Sequence, residues 1–285
     1  MKNKTLSMQS IANKLTDLTY TDYFYRLSLI ARSVFEWENL PDGVNEEWLE
    51  RYLFNDGRCV FFEDKTFGLM VAKCSDSGTL NNYDEPTRLT PFGTNYHGES
   101  LVNGKECILI KNNDLCLPTV STIELFALRL AEISRTIDIN VNAQKTPVMI
   151  ACTHKQLMSM KRLFNAVTGN EPVIFGDKDL DTNLIKALKI DAPIVFPQLQ
   201  IQKHEIWNEC MTFLGVNNAN MNKRERLVVN EVEANDEQIE MSANVMLKAR
   251  LLACEKINKL YDTNINVKIR KLPVEEIEKE VVVND

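Results

Sequence analysis

Three stretches of this chain gather residues that could do chemistry. Asp177-x-Asp179-x-Asp181 has the carboxylate spacing that opens a calcium loop, or that could hold a divalent ion for a nuclease. Position 6 of such a loop is Thr182, where glycine makes the turn, and position 12 is Leu188, where a bidentate glutamate belongs, so the acidic residues are read as caps of a short helix near 182–188. Gly98 through Gly104-Lys105-Glu106 resembles a phosphate loop, but its spacer is one residue too long and Glu106 stands where Ser or Thr would hold magnesium. It is read as a hairpin turn, which leaves the chain no visible means of hydrolysing ATP.

Lys223-Arg224-Glu225-Arg226 is the densest internal basic cluster, and acidic residues follow it at Glu231, Glu233, Asp236 and Glu237. Charge alone makes it a solvated loop. A monomeric or dimeric nucleic-acid-binding protein using the Lys223–Arg226 loop is the alternative reading. His97, His154 and His204 lie far apart without metal-ligand spacing, and no G-x-S-x-G or H-E-x-x-H occurs, so neither an enzyme nor a metal or other cofactor is expected.

The 285 residues carry a formal net charge of -7, which argues against a broad basic surface for gripping phosphates. Seven cysteines, an odd number without C-x-x-C, fit reduced thiols rather than a disulfide frame or a zinc site. No apolar run approaches the ~20 residues of a spanning helix, and no apolar core follows Lys2 and Lys4, so neither a membrane role nor export is expected.

Apolar positions predict the elements that must carry these residues. Tyr20, Phe24, Leu27, Ile30, Ala31, Val34 and Phe35 recur at helical steps, and that helix is expected to end before Pro41. A short helix is expected over 45–54, then antiparallel strands over 58–112 punctuated by Asp76-Ser77-Gly78, Pro91-Phe92-Gly93 and Asn103-Gly104. Ser121-Thr-Ile-Glu124 reads as a capping box that opens a long helix to about Asn142. Residues 147–197 read as strand, helix, strand, short helix and strand, the last being PIVF. A helix over 199–216 follows, with Trp207 and Phe213 on its apolar stripe. Next come an Asn-rich aperiodic segment, 217–236, a helix over 237–261 and a strand over 266–270.

Several stretches resemble, in order, the portal proteins (upper collar or head-tail connector proteins) of small short-tailed phages of the Picovirinae type. They include Phe35-Glu-Trp-Glu-Asn-Leu-Pro41, Ile123-Glu-Leu-Phe-Ala127, Val141-Asn-Ala-Gln-Lys-Thr-Pro147, Pro172-Val-Ile-Phe175, Met211-Thr-Phe-Leu-Gly215, Asn218-Ala-Asn220 and Asn235-Asp-Glu-Gln-Ile-Glu240. The resemblance covers about the last four-fifths of the chain. It implies an α+β, mainly helical portal fold with a helical stem, a small α/β clip and a mixed wing. The wing would take 1–118 and 237–285, the stem helices 119–146 and 199–216, the clip 147–198 and a tunnel loop 217–236.

By the same resemblance the protein is a dodecameric ring at the portal vertex of the virion, assembled in the host cytoplasm, with a channel for packaging, retaining and ejecting double-stranded viral DNA. Its implied partners are the major capsid and scaffold proteins, a lower collar or tail protein at the clip, and a packaging ATPase. Lys223 and Arg224 fall at the loop's adjacent basic positions, with Arg226 beside them, and Asn217, Asn218, Asn220 and Asn222 belong to the same loop. Lys203 matches a basic stem position facing the lumen, whereas the second such position is Gln198, so one of two basic rings is absent. The amino terminus, Met1 to Tyr20, holds few lysines and Asp17 where a member of the family carries a strongly basic tail associated with a packaging RNA, which weakens the case for such an RNA as partner.

Overall fold

The computed structural model describes residues 8–143, 148–150, 185–187, 193–216 and 229–270. The chain divides into two compact units, residues 1–132 with 203–285, and residues 133–202. The first unit holds an antiparallel sheet and a set of helices in an α+β arrangement.

Helix α1 (Met8–Ser33) buries Tyr23, Leu27 and Ala31, at the four-residue steps its sequence pattern requires. It ends earlier than Pro41 leads one to expect. Val34 follows the helix and Phe35–Glu38 form strand β1, which pairs antiparallel with β9 (Asn266–Ile269) in the register Phe35↔Ile269 and Trp37↔Val267. Phe35 and Trp37 are buried while Glu36 and Glu38 are less so, an alternation of two that only a tertiary partner 230 positions away can use.

Helix α2 (Glu46–Asp56) forms where its ends are satisfied. The Asn45 side chain accepts from the Trp48 amide at 3.1 Å, and Gly57, at φ 73°, donates to the Leu53 carbonyl at 3.0 Å. The sheet runs β5 (Leu101–Val102), β4 (Pro86–Phe92), β3 (Gly68–Leu80), β2 (Arg58–Asp64), β6 (Cys107–Lys111), every neighbouring pair antiparallel. Strand β2 is an interior strand, between β3 and β6, and buries Cys59, Val60, Phe61 and Phe62 in succession, so both its faces are covered. Val60 and Phe62 pack with Ala72, Leu89, Cys107 and Leu109 on one face. On the other, Phe61 meets the Tyr261 ring at 5.4 Å. The segment from Gly98 to Lys105 leads through β5 into the turn at Gly104 and on to β6, but β5 pairs with β4 and β6 with β2 at the opposite edge of the sheet, so the hairpin reading is corrected to a tight turn between strands that are not partners.

Helix α3 (Val120–Ala143) begins at its expected place by other means. The Thr119 carbonyl accepts from the amides of Thr122 and Ile123, and the Glu124 carboxylate takes a hydrogen bond from the Tyr20 hydroxyl on α1 at 3.4 Å. Glu124 is thus spent on a neighbouring helix rather than in a box with Ser121.

In the second unit, β7 (Val148–Ile150) pairs antiparallel with β8 (Ile185–Ala187). The short helix expected over 182–188 is therefore corrected, since its centre is a strand held by a cross-strand partner. Residues 193–195 have no regular structure and helix α4 (Phe196–Leu214) starts at the Phe of PIVF, so that strand is corrected too. Pro197 sits in the first turn of α4, where a missing N–H breaks no helical bond. Val195 N–H reaches the Asn140 side chain at 3.3 Å and so has no need of a strand partner.

Helix α5 (Val229–Tyr261) starts earlier than the expected residue 237, taking in the eight residues before it that show no apolar period. Its later part buries Ala243, Met246, Ala249, Arg250, Ala253, Cys254 and Ile257. Arg250 is 2% exposed within that stripe. It donates to both carboxylate oxygens of Glu50 on α2, at 2.9 and 2.7 Å, and to the Asn112 side chain and carbonyl at 3.1 and 3.2 Å. Its guanidinium lies 4.0 Å from the centre of the Phe35 ring, and Trp37 Nε1 donates to Glu50 at 2.8 Å. One buried ion pair thereby ties α2, α5, β1 and the end of β6 together.

Candidate nucleic-acid interface

Lys203 is the one sequence-derived DNA contact that falls among the described residues. It lies on α4 one heptad before buried Cys210, half-buried at the edge of the buried stripe Ile206, Cys210, Met211 and Leu214. Its Nζ stands 5.6 Å from the centre of the Tyr23 ring on α1. The ladder continues: Arg26 sits 5.7 Å from the same ring and 5.3 Å from the Trp207 ring. Two cations and two aromatic rings alternate where α1 meets α4, an arrangement that holds the charges in place without neutralising them.

Among the described residues no carboxylate lies within ion-pair distance of Lys203, whose ammonium is placed by the Tyr23 ring. Arg26 differs, since Asp22 lies 3.4 Å away. Trp207 and Phe213 are half-buried rather than core residues: the Trp207 face is taken by Arg26, and Phe213 meets the Phe126 ring at 6.3 Å.

Lys223, Arg224 and Arg226, with Asn217, Asn218, Asn220 and Asn222, lie outside the described residues, as do Asp177, Asp179, Asp181 and His154. The two ends that carry the Asn-rich segment are defined. Gly215, at φ 73°, ends α4 with its N–H on the Thr212 carbonyl at 3.1 Å, and Val216 donates to Met211 at 2.9 Å. A Cβ at Gly215 would collide with Ala243, so glycine is what lets the end of α4 lie against α5. The Ser242 hydroxyl adds a bond to the Phe213 carbonyl at 2.9 Å. His97 and His204 are exposed, and no group of three potential metal ligands occurs among the described residues.

Sequence reasoning missed Arg250 and Glu50. Their signal was present: each charge stands inside an apolar helical stripe, where an ordinary solvated face would not put it.

The fold is similar to known structures over the whole chain. The portal and tail of native bacteriophage P68 includes a chain 13% identical, aligned over 100% of both chains with a TM-score of 0.55. A chain in the neck of the native gene transfer agent particle, computed with C12 symmetry, is 10% identical over 95% of this chain and 87% of that one, with a TM-score of 0.54. At such identities the likeness establishes the α+β fold. The family model described as Phage Connector (GP10) matches residues 3–274. With nearly its full length matched, this chain belongs to the phage connector family and is a head-tail connector, or portal, subunit.

Proposed function

We propose that copies of this chain close head to tail into a ring around a channel for double-stranded viral DNA, at the portal vertex where head joins tail. The observation that carries this reading is the family match across residues 3–274. The similarity to a neck chain of a particle computed with C12 symmetry favours twelve subunits. In this reading 119–146 and 199–216 are the stem, 147–198 the clip, 217–236 the tunnel loop, whose last eight residues are the first turns of α5, and the remainder the wing.

The physics of sliding DNA suits a chain of net charge -7. Each tight phosphate contact adds to binding and to its salt dependence, so a mostly acidic lumen keeps friction low. Symmetry turns one lysine per subunit into a ring of positive charge that grips the backbone without reading sequence. Lys203, Lys223, Arg224 and Arg226 are the residues proposed to supply such rings, with Asn217, Asn218, Asn220 and Asn222 in the loop between them.

The energy for packaging would come from a separate ATPase; the capsid and scaffold proteins would hold the wing and a lower collar or tail protein the clip. Electron microscopy of the purified full chain tests the reading: rings with a central hole wide enough for a duplex are expected. A monodisperse monomer under all salt conditions would overturn it. Particles carrying Lys203→Ala, Lys223→Ala and Arg224→Ala together should assemble but leak packaged DNA, and normal retention would remove those residues from the mechanism.

A further inference from the structure

Leu15, Leu18, Asp22, Tyr25 and Leu29 follow one another along α1 at steps of three and four, which keeps them on one side of the helix. The four apolar members are 45%, 54%, 62% and 66% exposed, respectively. At about 100° per residue this row lies opposite Tyr23, Leu27 and Ala31, the face α1 buries. Among the described residues nothing covers it. Four half-exposed large side chains in a row make a patch on the order of 400 Å², a size at which surface patches are commonly functional, and about half of the ~800 Å² each partner gives to a standard interface.

A second uncovered apolar surface lies elsewhere on the same unit. Leu115 and Leu117, Thr122 at the start of α3, Phe213 at the end of α4, and Val245 and Met246 on α5 line a groove of about 460 Å³. Leu115, Leu117 and Val245 are more than half exposed. The two surfaces lie on opposite flanks of α3. Glu124 holds the Tyr20 hydroxyl and so faces α1, while Thr122, two residues earlier, points roughly 200° away around the helix and lines the groove.

That separation matters for a ring. If the α1 row met only another α1 row, a two-fold pair would form and growth would stop. A row seated in a groove leaves one row and one groove free at the ends, and the chain of subunits grows until it closes. We propose that the Leu15, Leu18, Tyr25 and Leu29 row of one subunit docks in the Leu115, Leu117, Phe213 and Val245 groove of a second copy of this chain. This rests on the ring reading above and assigns its contact.

The test uses two full-length double variants at exposed positions, Leu18→Glu with Leu29→Glu, and Leu115→Glu with Val245→Glu. Masses are read by light scattering at equal concentration, with circular dichroism as the check of folding. Wild type should give the ring mass and each variant alone the monomer mass. Mixed one to one, the variants should give a heterodimer and nothing larger, because only one intact row and one intact groove remain to meet.

Rings from either variant alone, or a mixture that stays monomeric while wild type makes rings, would overturn the docking and leave the ring reading standing. A wild-type chain that stays monomeric at every concentration would overturn the ring reading instead. Where a glutamate pair loses its helical signal, serine at the same positions gives the same readings.

Discussion

Glu50 and Arg250, two hundred residues apart in the chain, meet in the core as a two-pronged ion pair, Nε to Oε1 at 2.9 Å and Nη2 to Oε2 at 2.7 Å. The side chains are 3% and 2% exposed. Every oxygen and nitrogen of the pair has a partner, with Trp37, Asn112 and the Met246 carbonyl completing the set. A buried pair gains little over a well-packed apolar one, but half a pair is costly, because the charge left behind has no water.

Arg250→Met alone is therefore expected to lower the unfolding free energy by about 3–5 kcal/mol. Adding Glu50→Leu should recover at least half of that decrease, although Trp37 and Asn112 are then each short of a partner. Urea denaturation of the single and double variants reads both numbers, and equal decreases in the two would mean that the stranded carboxylate is not the cause.

Gly215→Ala should cost more than roughly 2 kcal/mol, because the residue has a left-handed backbone and its new methyl would meet Ala243 on α5. Gly104→Ala is the control. It shares the positive φ, at 81°, but a Cβ there meets open space, so about 1 kcal/mol is expected. Similar midpoint shifts for the two would place the whole effect in the backbone.

Burial pushes the Cys74, Cys210 and Cys254 thiols up to about 12 and Cys107 to about 11, and raises Cys59 well above the ordinary thiol value of 9.0. The folded thiols ionise later than the unfolded ones, so their contribution to stability is complete below pH 9 and is lost as pH rises from there towards 12. Thermal midpoints should hold up to pH 9 and fall above it, with little response to salt, because desolvation is the leading cause. At pH 8 an alkylating reagent should leave these five cysteines unmodified until the chain is unfolded.

Lys203→Ala removes one ammonium from above Tyr23, and stability should change by less than about 1 kcal/mol. Ring assembly should persist. The slope of log affinity for duplex DNA against log salt should become shallower, by about 0.9 for each phosphate that Lys203 no longer neutralises. An unchanged slope would take Lys203 out of the channel lining.

Much of this architecture was legible along the chain because local rules wrote it. Asn45 and Gly57 bracket α2 as a cap and a stop, Gly104 makes the turn between β5 and β6, and the α4 stripe ends at Gly215. The family was legible too, through ordered segments such as Ile123–Ala127 and Met211–Gly215.

What local rules could not decide were the places where a distant partner overrode propensity. Val34 and Phe35 continue a helical pattern, yet Phe35–Glu38 are a strand because Asn266–Ile269 offer a register that buries Phe35 and Trp37. Ile185–Ala187 become a strand against Val148–Ile150, and Glu124 leaves its box for Tyr20. Composition and period determined which residues are apolar and which segments can turn. Only the tertiary structure decided which charges go inside, because a buried Arg250 is stable only where Glu50, Asn112 and Phe35 converge on it from three other parts of the chain.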